Sequence, residues 1–189
     1  MNIEQKVKAV EEIFFELDRD ISAFQRESGL RCKQRCIECC LKPDIEASIL
    51  EFLPLAWWMS EAGIDLFEYW LKIAESPTAS NHCCIFLDKQ KKRCRVYKKR
   101  GLICRLFGFS FILDKNHKPQ LIACRYLKER FQFHLSSSLS KLPVASHYSM
   151  RLIAVDPYLA NQKYQINVAI YKAFQLVAMY LYYNKSMCG

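Results

Sequence analysis

The stretch RCKQRCIECCLKP, Arg31 to Pro43, sets Cys32, Cys36, Cys39 and Cys40 within nine residues. Their spacing, C-x3-C-x2-C-C, puts several sulfurs on one short loop, where converging on a metal costs little loop-closure entropy. The residues between them, Lys33, Gln34, Arg35 and Glu38, are polar, so the run does not read as cysteines buried as small hydrophobes. A second set lies downstream at Cys84, Cys94, Cys104 and Cys124, with His82 and Cys83 immediately before it. Side chains of adjacent residues diverge on extended backbone, so Cys39 and Cys40 suggest two neighbouring sites or one polynuclear cluster.

The chain carries 10 cysteines in 189 residues. Its start, MNIEQKVKAVEEIFFELDRD, lacks the apolar run and small-residue cleavage site of a secretory signal, so a cytoplasmic location is expected. In a reducing compartment disulfides give no stabilisation, and metal ligation is the commonest reason for so many thiols. The apolar stretch Ile166 to Tyr183 is interrupted by Lys172 and Gln175 and reads as a buried helix rather than a membrane span. The final residues, SMCG, place Cys188 wrongly for prenylation, so no lipid anchor is expected. Net charge is +9. Two four-thiolate sites around divalent ions, each about −2 overall, would bring the folded protein to about +5.

Working outward, Ile3, Val7, Val10, Phe14, Leu17, Ile21 and Phe24 alternate four and three apart, which is one helical stripe. Asn2 is placed to cap that helix and Gly29 to end it. The stripe serves either internal packing or a two-stranded contact between copies of the chain. After the cysteine loop, Asp44 is expected to open a helix through IEASILEFLPLAWWMSEAG, bent or split at Pro54. A helix from Asp65 to about Glu75 and a polar turn, SPTASN, follow. GFSFILDKNHKPQLIAC changes the period and predicts a hairpin from Phe107 to Cys124. Helical pattern resumes in RYLKERFQFHL and again from Pro157 to about Tyr183, with Ser136 to Ser146 as a linking loop. The expected fold is mainly α with a small β-hairpin (α+β), a cysteine-rich core wrapped by helices. One domain, 1–189, would comprise an amino-terminal helix over 1–29, a metal-binding region over 32–124 and carboxy-terminal helices over 125–185.

The residues resemble the YkgJ-type cysteine cluster proteins, described as zinc- or iron-chelating and marked by a CxxCxxCC motif. CKQRCIECC, Cys32 to Cys40, is similar to the family's first block. Cys84 to Leu87, CIFL, and Cys94 to Phe107, CRVYKKRGLICRLF, are similar to its second, which runs cysteine, x, hydrophobic-Tyr, two residues, Arg-Pro, two residues, Cys-Arg-x-Phe. Cys124 matches a further downstream cysteine. Three departures stand out: three residues instead of two in the first gap, Gly101 in place of the proline, and His82 and Cys83 before the matched Cys84. The resemblance implies ligation by eight cysteines, Cys32, Cys36, Cys39, Cys40, Cys84, Cys94, Cys104 and Cys124, with Cys83 or His82 as substitutes. It supplies no reaction.

All-thiolate sites suit zinc or an iron-sulfur cluster, and the vicinal pair tilts the expectation toward iron-sulfur. Of the other histidines, His117, His134 and His147 read as surface residues or helix members. KQKKRCRVYKKR, Lys89 to Arg100, places eight Lys or Arg residues in twelve positions. The run is a solvated face, a counter-charge to thiolates through Arg95 and Arg105, or a patch for an anionic partner such as nucleic acid. Three functions remain in play. One is an accessory or structural metalloprotein. The second is an iron-sulfur enzyme related in style to the flagellin lysine N-methylases that share this kind of cysteine block, although no GxGxxG or GxxxxGK pattern is present. The third is a metal-stabilised nucleic-acid-binding module.

Overall fold

The computed structural model describes residues 1–42, 44–76, 83–131 and 142–187, with residues 185–187 described through their backbone alone. Helix α1 spans Ile3–Ser28. The Asn2 side chain accepts from the Gln5 backbone N–H at 2.8 Å while Gln5 Oε1 accepts from the Asn2 N–H at 3.0 Å, a reciprocal capping box. Gly29 ends the helix at φ 68°, the left-handed conformation that glycine tolerates best. The predicted stripe from Val7 to Phe24, extended by Ile13, is buried inside the chain's own core, with Ile3 partly buried at its edge. The seam that might have joined two copies is thus already covered.

Where the sequence pattern predicts a helix from Asp44, the chain instead forms strand β1 (Glu46–Ser48) and a 3-10 turn at Leu50–Phe52 before helix α2 (Leu53–Ala62). Pro54 lies in the first turn of α2, where its missing N–H has no intrahelical partner to lose, so it starts the helix rather than bending it. Helix α3 (Ile64–Glu75) follows as expected. The next segments are strands β2 (Leu87–Asp88) and β3 (Arg93–Cys94), then helix α4 (Leu102–Leu106). Strands β4 (Ser110–Leu113) and β5 (Pro119–Ile122) form the hairpin expected between Phe107 and Cys124. Helices α5 (Arg125–Arg130) and α6 (Ala145–Val155) come next. The expected turn SPTASN, His134 and most of the Ser136 to Ser146 loop lie outside the described residues.

The expected single helix from Pro157 is also divided. Helix α7 (Pro157–Asn161) is capped by Asp156, whose carboxylate accepts from the Leu159 N–H at 2.9 Å. Strand β6 (Lys163–Gln165) then pairs antiparallel with β1, Ala47 opposite Tyr164, and helix α8 (Ile166–Met187) follows. A non-local ladder thus overrides local helical pattern at both of its strands. The fold is mainly α with short antiparallel strand pairs.

One hydrophobic cluster joins α1, α2, α3, α6 and α8. Phe67 of α3 stacks on Phe174 of α8 at 5.1 Å, and Trp70 packs on Phe86 at 4.5 Å. The Trp70–Phe86 contact fixes the helical frame to the start of the second cysteine block. Among the described residues, no helix is long and apolar enough to cross a membrane.

Candidate metal centre

The extra residue in the first cysteine gap is absorbed by a turn. Arg35 takes φ 54°, the left-handed conformation, and the Cys36 N–H donates to the Lys33 carbonyl at 3.2 Å. Glu38–Leu41 then winds as a 3-10 turn. Here the backbone is not extended, and Cys39 Sγ and Cys40 Sγ stand 4.0 Å apart. Two thiolates about 2.3 Å from one tetrahedral ion would be about 3.8 Å apart, so the vicinal pair has the reach of a shared edge. The divergence argument for separate sites therefore fails at this turn.

The second block is docked on the first through the backbone. The Cys84 N–H donates to the Cys40 carbonyl at 3.1 Å. From α8, the Asn167 side chain donates to the Cys83 carbonyl at 2.8 Å and accepts from the Ile85 N–H at 3.0 Å, clamping the chain on both sides of Cys84. Cys94 sits in β3 opposite Leu87 of β2. Cys124 is the residue before α5, and Lys33 of the first loop lies 4.4 Å from the ring centre of Tyr126 in that helix.

Cys104 is carried by α4, whose start is held by a buried carboxylate. Glu51 Oε2 accepts from the Ile103 N–H at 2.7 Å, while Oε1 accepts from Ser48 N–H at 2.7 Å and Ser48 Oγ at 2.9 Å. An anion at the first turn of a helix is favoured by its unpaired N–H groups. The Gly101 departure has its reason here: a Cβ would lie 2.8 Å from Phe52 Cζ and 3.0 Å from Glu51 Oε2. Proline's ring would need that space.

Electrostatics tie the two blocks together. Burial pushes the Cys104 thiol well above its ordinary value, with Cys84 and Cys39 adding to the effect. Cys84 is pushed up to about 12 by burial, with contributions from Cys94, Cys83 and Cys39. Burial raises Cys94 too, and Cys39 contributes. The Cys32 thiol rises to about 11 through partial burial and the sulfurs of Cys36, Cys39 and Cys124. Cys39 moves the other way, to about 6, because Cys40 hydrogen-bonds to it, and Cys40 is correspondingly raised. Cys39 contributes to the shifts of Cys32, Cys84, Cys94 and Cys104, and so to thiols of both blocks. Nine cysteines, those from Cys32 to Cys124, are free thiols.

Arg105 and Arg95 both find carboxylates. Arg105 is buried over the Phe14 ring, pairs with Asp18 of α1 and donates to the carbonyls of Lys98 at 2.8 Å and Arg100 at 3.0 Å. Arg95 stands 3.8 Å from Asp88 and is largely exposed. Arg100 opposes the rise of Cys32, Cys94 and Cys104 and adds to the lowering of Cys39, a role sequence reasoning missed. Its one signal was its place in the Arg-Pro position of the resemblance. In the rest of the basic run, Lys89, Lys91, Lys92, Arg93 and Lys98 are exposed, and Lys99 reaches Glu11 at 2.9 Å.

Among the described residues, no group of three or more His, Cys, Asp or Glu side chains is arranged to hold a metal ion. His82 lies outside the described residues. His117 occupies the β4–β5 turn and His147 lies on α6, both exposed. The donor chemistry nevertheless suits a thiophilic metal: nine free thiols lie between Cys32 and Cys124, and the Cys84 N–H on the Cys40 carbonyl brings the two blocks together. A profile of the CxxCxxCC family, described as zinc- or iron-chelating, matches residues 31–131, more than half of the chain.

The chain belongs to the CxxCxxCC family.

The matched residues of this CxxCxxCC protein begin one residue before Cys32 and end one after the last residue of α5. The family's description places metal chelation, of zinc or of iron, in this region. An uncharacterized protein of Methanocaldococcus jannaschii is 63% identical over 27 residues, which is 14% of this chain and 15% of that protein. No solved structure matches.

Proposed function

We propose that this CxxCxxCC protein is an accessory or structural metalloprotein in which thiols from both blocks hold one composite centre, an iron-sulfur cluster in the first instance and zinc in the second. The ligands in this reading are Cys32, Cys36, Cys39, Cys40, Cys84, Cys94, Cys104 and Cys124. The observation that carries it is the hydrogen bond from the Cys84 N–H to the Cys40 carbonyl at 3.1 Å, which lays the second block against the vicinal pair of the first and supports a centre spanning both blocks rather than one within each. Cys84 suits ligation better than Cys83 because Asn167 fixes the backbone on both sides of it. The preference for iron-sulfur rests on the thiol-only donor set and the vicinal pair.

A bound metal would supply the positive charge that lets these clustered thiols ionise together, and its binding energy would become folding energy for this region. Metal and acid-labile sulfide are to be counted in protein isolated without oxygen. Iron with matching sulfide is the expected result; zinc without sulfide would select the second occupant, and no metal in either form would overturn the reading.

A further inference from the structure

The β2–β3 hairpin and the 3-10 turn that follows it, Tyr97–Lys99, carry charge that metal ligation does not use. The ion pairs of this segment are Arg95 with Asp88 at 3.8 Å and Lys99 with Glu11 at 2.9 Å. Lys89, Lys91, Lys92, Arg93 and Lys98 are exposed, and among the described residues none of the five reaches a carboxylate at ion-pair distance. Asp88, the acid of the hairpin, is buried and accepts from the Lys91 backbone N–H at 2.9 Å. Like charges crowded on a ladder of two residue pairs repel one another, so the hairpin itself gains nothing from them.

The segment is nonetheless held in shape. The Arg95 N–H donates to the Phe86 carbonyl at 2.9 Å, and buried Arg105 grips the carbonyls of Lys98 and Arg100. A cationic surface that is already ordered loses less conformational entropy on binding than a flexible run does. Tyr97 stands in the middle of it. The Arg100 guanidinium carbon lies 4.2 Å from its ring centre on one face, and with the residue 59% exposed the opposite face is open.

We propose that this surface binds single-stranded nucleic acid, the five unpaired cations taking backbone phosphates and the open face of Tyr97 stacking on an unpaired base. Phosphates answer the charge, and a base answers the ring, which an acidic peptide does not. A bilayer fits less well, because the aliphatic side chains of the segment, Leu87 and Val96, are both buried and leave no apolar wedge to enter lipid. The inference does not draw on the composite centre, since none of the residues it names is a thiol.

Full-length protein as isolated is titrated against a labelled single strand of about 12 nucleotides, the matching duplex, polyglutamate, and phosphatidylcholine vesicles containing phosphatidylserine, each across a salt series. Log affinity for the single strand should fall against log salt with a slope of about −3.5, about −0.7 for each phosphate neutralised. Replacing Lys89→Gln, Lys91→Gln and Lys92→Gln together should make that slope shallower by about 2 and weaken binding about 100-fold at about 0.1 M salt. Tyr97→Leu keeps the bulk and removes the stacking, so affinity should drop about 5- to 150-fold with the slope unchanged. No binding to the single strand at about 0.05 M salt overturns the proposal. So does polyglutamate or the vesicle bound as tightly as the strand, or a duplex bound as tightly while Tyr97→Leu keeps the parental affinity. If the triple variant does not fold, Lys98→Gln decides: a slope shallower by about 0.7 supports the surface, and an unchanged slope overturns it.

Discussion

In the frame of α2, α3 and α8, side chains such as Leu53, Leu55, Met59, Ile170 and Phe174 are fully buried and interlock without polar help. Between Cys83 and Cys104, by contrast, regular structure amounts to a ladder of two residue pairs, a 3-10 turn and a five-residue helix. Its position depends on individual polar contacts: Asn167 at Cys83 and Ile85, Glu51 at Ile103, and Arg105 at Lys98 and Arg100. The first region carries its own hydrophobic driving force. The second has its thiols half-buried, and in the proposed reading metal acts mainly there.

That contrast breaks most visibly at Phe174→Ala, which should cost about 3–5 kcal/mol by denaturant unfolding of the metal-free protein. Stripping the metal from the parent should leave most of the far-ultraviolet helical signal, since the frame does not use it. Glu51→Gln tests the junction between the regions. Its carboxylate accepts from Ser48 and Ile103 N–H groups, and an amide must turn a donor toward one of them. The expected loss is about 1.5–3 kcal/mol, with metal affinity lowered as well because α4 carries Cys104.

Much of the frame was readable in the residues themselves. Asn2, the alternating stripe and Gly29 define α1, and the hairpin shows as two β-type runs around a polar turn. The β1–β6 pair was not readable, because each strand is three residues long and its partner lies over a hundred residues away. Local pattern at Asp44 and at Gln162 therefore favoured helix. The cysteines announced a metal site by type and spacing. Arg100 and Glu51 did not, since a basic residue in a basic run and an acid in an apolar stretch acquire meaning only from what they face.

The two regions should also differ in pH response. Burial holds Cys84, Cys94 and Cys104 in the thiol form above the ordinary value of 9.0, with Cys84 at about 12. Folded-state values raised in this way give stability that is complete below pH 9.0 and declines as pH climbs from there toward about 12. Unfolding of the metal-free protein should follow that slope. With metal bound the thiolates are already ionised, so the slope should vanish, and affinity should instead weaken as acid supplies competing protons. The smallest effect belongs to the surface: Arg125 and Glu129 pair at 2.6 Å on exposed α5, and Arg125→Ala should change stability by less than about 0.5 kcal/mol.

The central claim is a centre shared between the blocks, and metal per chain in Cys39→Ser, Cys104→Ser and the double variant addresses it directly. Each single replacement should remove the same metal, so that the double variant loses no more than either one. Independent losses that add, with each block keeping its own complement when the other is damaged, would contradict it.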